Sequence, residues 1–198
     1  MTITYALVTT VIFSRFGTDW LAGFGLAVRL ELIMVPLIFG IGASLIPIVG
    51  AYVGAGQRER AIVIAWKGIM INAVVVGLIG LLFALYPALW CDLVSSDQTV
   101  GENCQQSLRT ISPTYVFFAL GLCCYFASQG LNTLLVPVAG ALLRLVIVAS
   151  GLVLLGSTSK PSTALWLVAL AVVAYGVSVV VGLLFGPWGR GAKVEGGA

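Results

Sequence analysis

Charged side chains inside apolar segments give the most information about what this sequence does. Arg29 and Glu31 lie about ten residues into one apolar run, and Arg144 lies about ten residues into another. Each such charge costs a few kcal/mol in the middle of a bilayer and therefore needs a partner or a wet cavity. Arg29 and Glu31 face about 200° apart on a helix and are poor partners for each other. We expect Glu31 to pair inside the bundle with Arg144 or at the Arg29 backbone. The alternative is that these charges line an aqueous transport path.

Neutral polar residues and prolines in the apolar runs form a second set of candidates. Asn72 and Gln129 could form hydrogen bonds between helices or contact a substrate. Pro36 and Pro47 remove backbone donors from one long run and are predicted to bend it. Bent helices are common in transporters, where they line central cavities, but they also occur in static bundles.

Residue types that carry enzyme or metal chemistry are scarce. The sequence has no histidine, and its four cysteines have no metal-ligand spacing, so we expect neither a zinc site nor a cofactor. It also has no nucleophile–base pair and no phosphate-binding loop, which argues against an enzyme. Cys91 and Cys104 share one polar stretch, where they form either a disulfide, if that stretch faces an oxidising compartment, or two free thiols.

The composition indicates that lipid surrounds most of the chain. Of 198 residues, 60% are hydrophobic and 9% are charged, and the mean hydropathy is +1.11. Soluble domains are about 45–50% apolar and about 25% charged. The net charge is only +3 and the basic residues are scattered, so a nucleic-acid partner is not expected.

Six apolar runs predict an all-helical membrane bundle over residues 1–188, followed by a polar cytoplasmic tail, 189–198. The runs are 3–16, 20–49, 61–89, 111–130, 134–155 and 163–185. Five are long enough to cross about 30 Å of hydrocarbon, whereas the first is short of the usual minimum of about 17 residues. We interpret the first run as the end of a longer helix whose beginning is missing.

Basic residues near the run ends predict the orientation of the bundle. Five of them fall on one side of the membrane: Arg58, Arg60, Lys67, Arg190 and Lys193. Three fall on the other side: Arg15, Arg109 and Lys160. We therefore expect the 54–60 loop and the tail to be cytoplasmic, and the 92–109 loop to lie outside. Trp20, Trp90 and Trp188 lie at run ends, as in an interfacial aromatic belt.

Four segments resemble the C-terminal lobe of multidrug and toxic compound extrusion (MATE) transporters. They read AGFGLAVRLE, VPLIFGIGASLIPIVGAYVGAGQRERA, SPTYVFFALGLCCYFASQG and PVAGALLRLVIVASG, and they lie between residues 22 and 151. The resemblance is most specific in the cytoplasmic loop that contains Gly54, Gly56 and Arg60, and in YFASQG. It implies one six-helix lobe, with a truncated first helix, of a two-lobe transporter in a cell membrane of the bacterial inner-membrane type.

The same resemblance implies secondary active efflux of organic, often cationic drugs in exchange for protons or sodium ions. Its implied partners are the lipid bilayer and an N-terminal lobe or second chain. Some relatives place coupling carboxylates on the seventh and tenth helices, but 3–16 and 111–130 contain no Asp or Glu, so the coupling ion stays open. The alternatives are a lipid-linked oligosaccharide flippase of the same superfamily and a non-transporting remnant or assembly subunit.

Overall fold

A computed structural model describes residues 2–154, 160–186 and 188 of the chain. The described residues form helices and turns without a β-strand. The eight α-helices are α1 (Thr2–Ser14), α2 (Thr18–Gly54), α3 (Arg58–Leu85), α4 (Ala88–Val94), α5 (Gln98–Ile111), α6 (Tyr115–Gly130), α7 (Leu135–Leu154) and α8 (Pro161–Phe185). The predicted polar tail, with Arg190 and Lys193, lies outside the described residues.

Four helices in the described ranges are long and apolar enough to cross a membrane. They are Thr18–Gly54, Arg58–Leu85, Pro161–Phe185 and the stretch Gln98–Gly130, in which a 3₁₀ turn joins α5 to α6. Two further apolar helices are shorter, Thr4–Ser14 and Leu135–Gly151. Each of the six apolar runs therefore coincides with a helix, and within the described residues four helices are identified as candidate spans.

The polar stretch 92–109 is largely helical, which corrects its interpretation as a loop. The carboxylate of Asp97 accepts a hydrogen bond from the Val100 N–H at 2.9 Å and caps the start of α5. Cys104, Leu108 and Ile111 are buried at helical spacing, whereas Glu102 and Arg109 are exposed. Average hydropathy misses such an amphipathic helix, because its polar face cancels its apolar one.

Helix α6 occupies the centre of the bundle. It packs against α2, α3, α7 and α8, while α7 packs mainly against α8 and α1. Small buried residues such as Ala119, Cys123 and Ala127 let the neighbouring helices approach α6 closely. At Gly176 of α8, an added Cβ would lie 2.8 Å from Phe117 Cα, so the backbones of α6 and α8 are nearly in contact.

One end of the bundle gathers the turns between α2 and α3 and between α6 and α7. Gly56 ends α2 at φ +74°, and the Gln57 N–H bonds to Tyr52 O at 2.9 Å. Asn132 plays the same part after α6, at φ 55°. These are helix endings in which a left-handed residue reverses the chain. Gly56 therefore has a structural reason to be glycine in the predicted loop motif.

Trp188 lies at this same end and is buried, which corrects its assignment to a lipid-facing belt. Its indole N–H donates to Thr133 Oγ1 at 3.1 Å, and its ring packs edge-on against Trp66, with centroids 5.4 Å apart. The opposite end carries the Cys91–Cys104 disulfide between α4 and α5. There the Trp90 indole N–H donates to Leu26 O of α2 at 2.9 Å.

Candidate functional site

An ion pair between α2 and α7 lies at the centre of the candidate site. Arg144 Nη2 donates to Glu31 Oε1 at 3.3 Å, and the two side chains are only 9% and 15% exposed. Arg144 is the tenth of the 20 residues of α7, so the pair lies about halfway along that helix. Of the two arrangements that the sequence allowed, the structure contains Glu31 with Arg144.

Aromatic rings surround the guanidinium of Arg144. Its Cζ lies 3.7 Å from the Tyr5 ring centroid, 5.2 Å from that of Phe118 and 5.9 Å from that of Tyr175. These rings come from α1, α6 and α8, so Arg144 contacts almost every helix around the site. A cation held against ring faces gains roughly 2 kcal/mol or more where water is excluded. The rings and Glu31 together offset the cost of burying the charge.

Hydrogen bonding at Arg144 is incomplete. A guanidinium carries five N–H donors, and the contact with Glu31 Oε1 uses Nη2 alone. Arg144 Nε and the Tyr5 hydroxyl are buried beside each other without a hydrogen bond of good geometry among the described residues. Asn72 Oδ1 and Ser128 Oγ, which do not belong to the cleft lining, also lack a partner within the described part of the chain. Arg144 and Tyr5 differ from them in lying side by side next to a cavity, where a ligand could supply the missing acceptor.

A cleft of about 510 Å³ opens beside Arg144. Its lining residues are Tyr5, Val35, Phe39, Phe118, Leu122, Tyr125, Phe126, Pro137, Val138, Ala141, Arg144, Leu145 and Tyr175. The walls are therefore aromatic and aliphatic, apart from the guanidinium and three phenol groups. Among the lining residues, Phe39 of α2 and Val138 of α7 are exposed, at 45% and 38%. This size and lining are typical of small-molecule pockets.

The other predicted polar candidates do not line this cleft. Arg29 is exposed on α2 and has no hydrogen bond or ion pair within the described ranges. Asn72 is buried and donates to Ile38 O at 3.1 Å, which ties α3 to α2. Gln129 is half-buried near the end of α6. Asn72 thus has a structural contact, and Arg144 is the one predicted candidate whose side chain lines the cleft.

The proline and glycine candidates occupy α2 and the turn that follows it. Pro36 and Pro47 are exposed within α2, which continues as a helix through both. Gly54 is the last residue of that helix, and Arg60 lies in the first turn of α3, where its Nη1 donates to Gln57 Oε1 at 3.1 Å. These residues therefore shape the end of the bundle rather than the cleft.

The aromatic lining was missed by the sequence analysis. Tyr5, Tyr125 and Tyr175 lie inside apolar runs, where a ring is more often a packing residue than a ligand contact. The available signal was that all three carry a hydroxyl in a segment predicted to be in lipid. That signal gives no information on which rings share a cavity, because they come from three different helices.

Metal-binding groups are absent from the part of the chain that the structure describes: no three His, Cys, Asp or Glu side chains lie close enough to hold an ion. Two of the four cysteines form the disulfide, and Cys123 and Cys124 are buried as free thiols in α6. The cleft itself offers aromatic surface, one guanidinium and phenol hydroxyls for binding.

Comparison with known proteins gives one family. A sequence model of the MatE family matches residues 1–154, which is more than half of the chain. That range includes α1, α2, α6 and α7 and therefore most of the cleft, whereas Tyr175 lies beyond it. Searches of curated proteins and of solved structures find no significant match.

Proposed function

The chain belongs to the MatE family of membrane transporters, and from this membership we propose that it is one lobe of a secondary active exporter of organic solutes. The lobe corresponds to the C-terminal one, in a cell membrane of the bacterial inner-membrane type. Export is driven by exchange with protons or sodium ions, as the family resemblance implies.

The observation that carries this proposal is the aromatic cleft with a buried ion pair beside it. Transporters bind their substrates near the middle of the membrane, in cavities lined by several helices. Arg144 lies halfway along α7, and the cleft beside it receives side chains from α1, α2, α6, α7 and α8. A charge placed so deep is costly, which favours a functional role over a purely structural one.

A second lobe is the proposed partner, because alternating access requires one repeat to move against another. The exposed face of α2 supports such a partner. Four of its glycines, Gly25, Gly40, Gly50 and Gly54, have no atom within 4 Å of the place that a Cβ would occupy. Glycines elsewhere in the bundle, such as Gly130 and Gly176, are covered by a neighbouring helix. Small residues on an open face allow close approach of another membrane helix.

The proposed orientation places the Gly56 end of the bundle in the cytoplasm. The predicted excess of basic residues on that side, five against three over the whole sequence, supports it. The Cys91–Cys104 disulfide supports it as well, because it lies at the opposite end and disulfides persist in oxidising compartments.

Dye efflux from energised cells tests the proposal. The chain is expressed in bacteria that lack their main efflux pumps, either alone or together with the N-terminal lobe of a MatE relative. We expect efflux only when both lobes are present, and its loss when an ionophore collapses the proton and sodium gradients. Membrane insertion of the chain is confirmed in both cultures as the control. Gradient-dependent efflux by the 198-residue chain alone would contradict the one-lobe proposal and indicate a functional homodimer.

A further inference from the structure

The charge of the cleft restricts what it can bind. Arg144 is the single charged side chain among the described residues that line it. Glu31, which pairs with that guanidinium through a single 3.3 Å contact, is not a lining residue. A cationic ligand in the cleft would therefore meet a like charge and no free carboxylate.

The ring faces around Arg144 are also partly in use. Aromatic rings attract organic cations through their faces, which is the property that would make this cleft suitable for a cationic drug. The guanidinium of Arg144 already lies over the Tyr5 ring at 3.7 Å and near Phe118 and Tyr175. An added cation would compete with Arg144 for these rings.

An acidic group, in contrast, complements the site. Arg144 and Tyr5 both line the cleft, and Arg144 Nε and the Tyr5 hydroxyl are buried beside each other without a hydrogen bond of good geometry among the described residues. A ligand carboxylate would bind these two groups by replacing the contact between them. A carboxylate is an acceptor with about four lone-pair positions and forms strong charge-assisted bonds to a guanidinium. Glu31 accepts a single, long hydrogen bond from the guanidinium, so other N–H groups of Arg144 can donate to a second acceptor.

We propose that the cleft binds amphipathic organic anions, with the carboxylate at Arg144 and Tyr5 and the apolar part against the aromatic wall. The apolar part would contact Phe39, Phe126 and Val138. Glu31 is then an internal competitor for Arg144, which holds the guanidinium while the cleft is empty. This inference deepens the proposed function, since it names the substrate class of the same lobe.

Calorimetric titration of the purified chain in neutral detergent tests the proposal with three probes that differ only in the head group. The probes are 4-phenylbutyrate, 4-phenylbutylammonium and the uncharged 4-phenylbutanamide. We expect the carboxylate to bind most tightly and the ammonium most weakly. The assay needs no transport, so its failure is distinguishable from failure of the efflux experiment.

Two variants at the ion pair make the test specific. Arg144→Gln should abolish the preference for the carboxylate over the amide. Glu31→Gln should raise carboxylate affinity by roughly tenfold, the change that about 1.4 kcal/mol produces, because Arg144 loses its internal counter-ion. This gain cannot arise from misfolding. Arg29→Gln is the matched control, because Arg29 is exposed on α2 and does not line the cleft. The Arg29→Gln protein should bind the carboxylate probe with the affinity of the wild type.

Several outcomes would overturn the proposal. Equal or tighter binding of the ammonium probe would identify the cleft as a cation site. Failure of all three probes to bind a chain that melts cooperatively would show that the cleft is not a ligand site. Weaker carboxylate binding by a folded Glu31→Gln protein would show that Glu31 supports the anion site rather than competing for it.

Discussion

At the scale of single residues, the bundle depends on how two buried charges are neutralised. Arg144 and Glu31 pair through one contact of 3.3 Å, and aromatic rings cover the guanidinium. A buried pair contributes little net stability compared with an apolar pair of the same size, but the loss of one partner leaves an uncompensated charge. The effects of removing either residue should therefore depend strongly on whether the other is present.

We predict that Arg144→Leu destabilises the folded chain by about 3–5 kcal/mol, the cost of breaking a buried pair. Glu31→Gln in the same chain should restore most of that loss, because no isolated charge remains. The measurement is thermal unfolding in detergent, together with the amount of folded protein in the membrane. Arg29→Leu serves as the control and should be tolerated, since Arg29 is exposed. Additive effects of the two changes would remove Glu31 as the partner of Arg144.

The residues of the site were only partly predictable. The pairing of Glu31 with Arg144 was one of two arrangements that the sequence favoured, because charges of opposite sign at similar depth in lipid have few other options. Asn72 was compatible with two roles, and the structure gives it the contact with Ile38 O. The rings of Tyr5, Phe118 and Tyr175 could not be assigned, because their grouping depends on how α1, α6 and α8 pack. Sequence patterns describe one helix at a time and contain no such information.

At the scale of elements, close helix contacts at glycines determine how tightly the bundle packs. Gly176 of α8 lies against α6, and an added Cβ would be 2.8 Å from Phe117 Cα. We predict that Gly176→Ala lowers the stability of the bundle by about 1–3 kcal/mol, since overpacking forces backbones apart. Thermal unfolding in detergent measures the loss.

Gly40→Ala is the matched control for this change. Gly40 is also helical, but the position of its added Cβ has no atom within 4 Å, so no loss is expected for the chain alone. Equal destabilisation by both substitutions would show that helix propensity, and not the approach of α8 to α6, determines the effect.

The disulfide between α4 and α5 should respond to reductant. It closes a loop of 13 residues, for which a chain-entropy model gives about 3 kcal/mol. We predict that dithiothreitol lowers the unfolding temperature of the wild type and leaves that of Cys91→Ser unchanged. Cys123 and Cys124 are present in both proteins and cancel in the comparison. An equal response of the two proteins would indicate that Cys91 and Cys104 are not joined.

The positions of the helices were largely predictable, since each apolar run coincides with helical residues, although the described residues form eight α-helices rather than six. The apolar runs did not predict the extent of a helix where that helix is amphipathic. Helix α5 follows an Asp97 cap and buries one face, and its average hydropathy does not distinguish it from a polar loop. Helix α2 continues to Gly54, past the predicted end at residue 49, because the chain first meets a left-handed residue at Gly56.

At the scale of the whole molecule, the orientation in the membrane is open to direct measurement. We predict that a membrane-impermeant maleimide added to intact cells labels Ser96→Cys and does not label Gln57→Cys. Both positions are exposed, and they lie at opposite ends of the bundle. The wild type is the blank, because its cysteines are either bonded to each other or buried. The reverse pattern of labelling would invert the proposed orientation.

The two ends of the bundle are fastened in ways that bear on how the lobe moves. At one end, Trp188 ties the chain after α8 to Thr133 and packs on Trp66 of α3. At the other, the disulfide joins α4 to α5, and Trp90 holds α4 against α2. Because these contacts join helices at both ends of the lobe, the lobe resists internal bending but can still rotate as one rigid unit. If this lobe rocks against a partner, two fluorophores at its opposite ends would keep a constant separation through every turnover, and all the movement would be recorded between lobes.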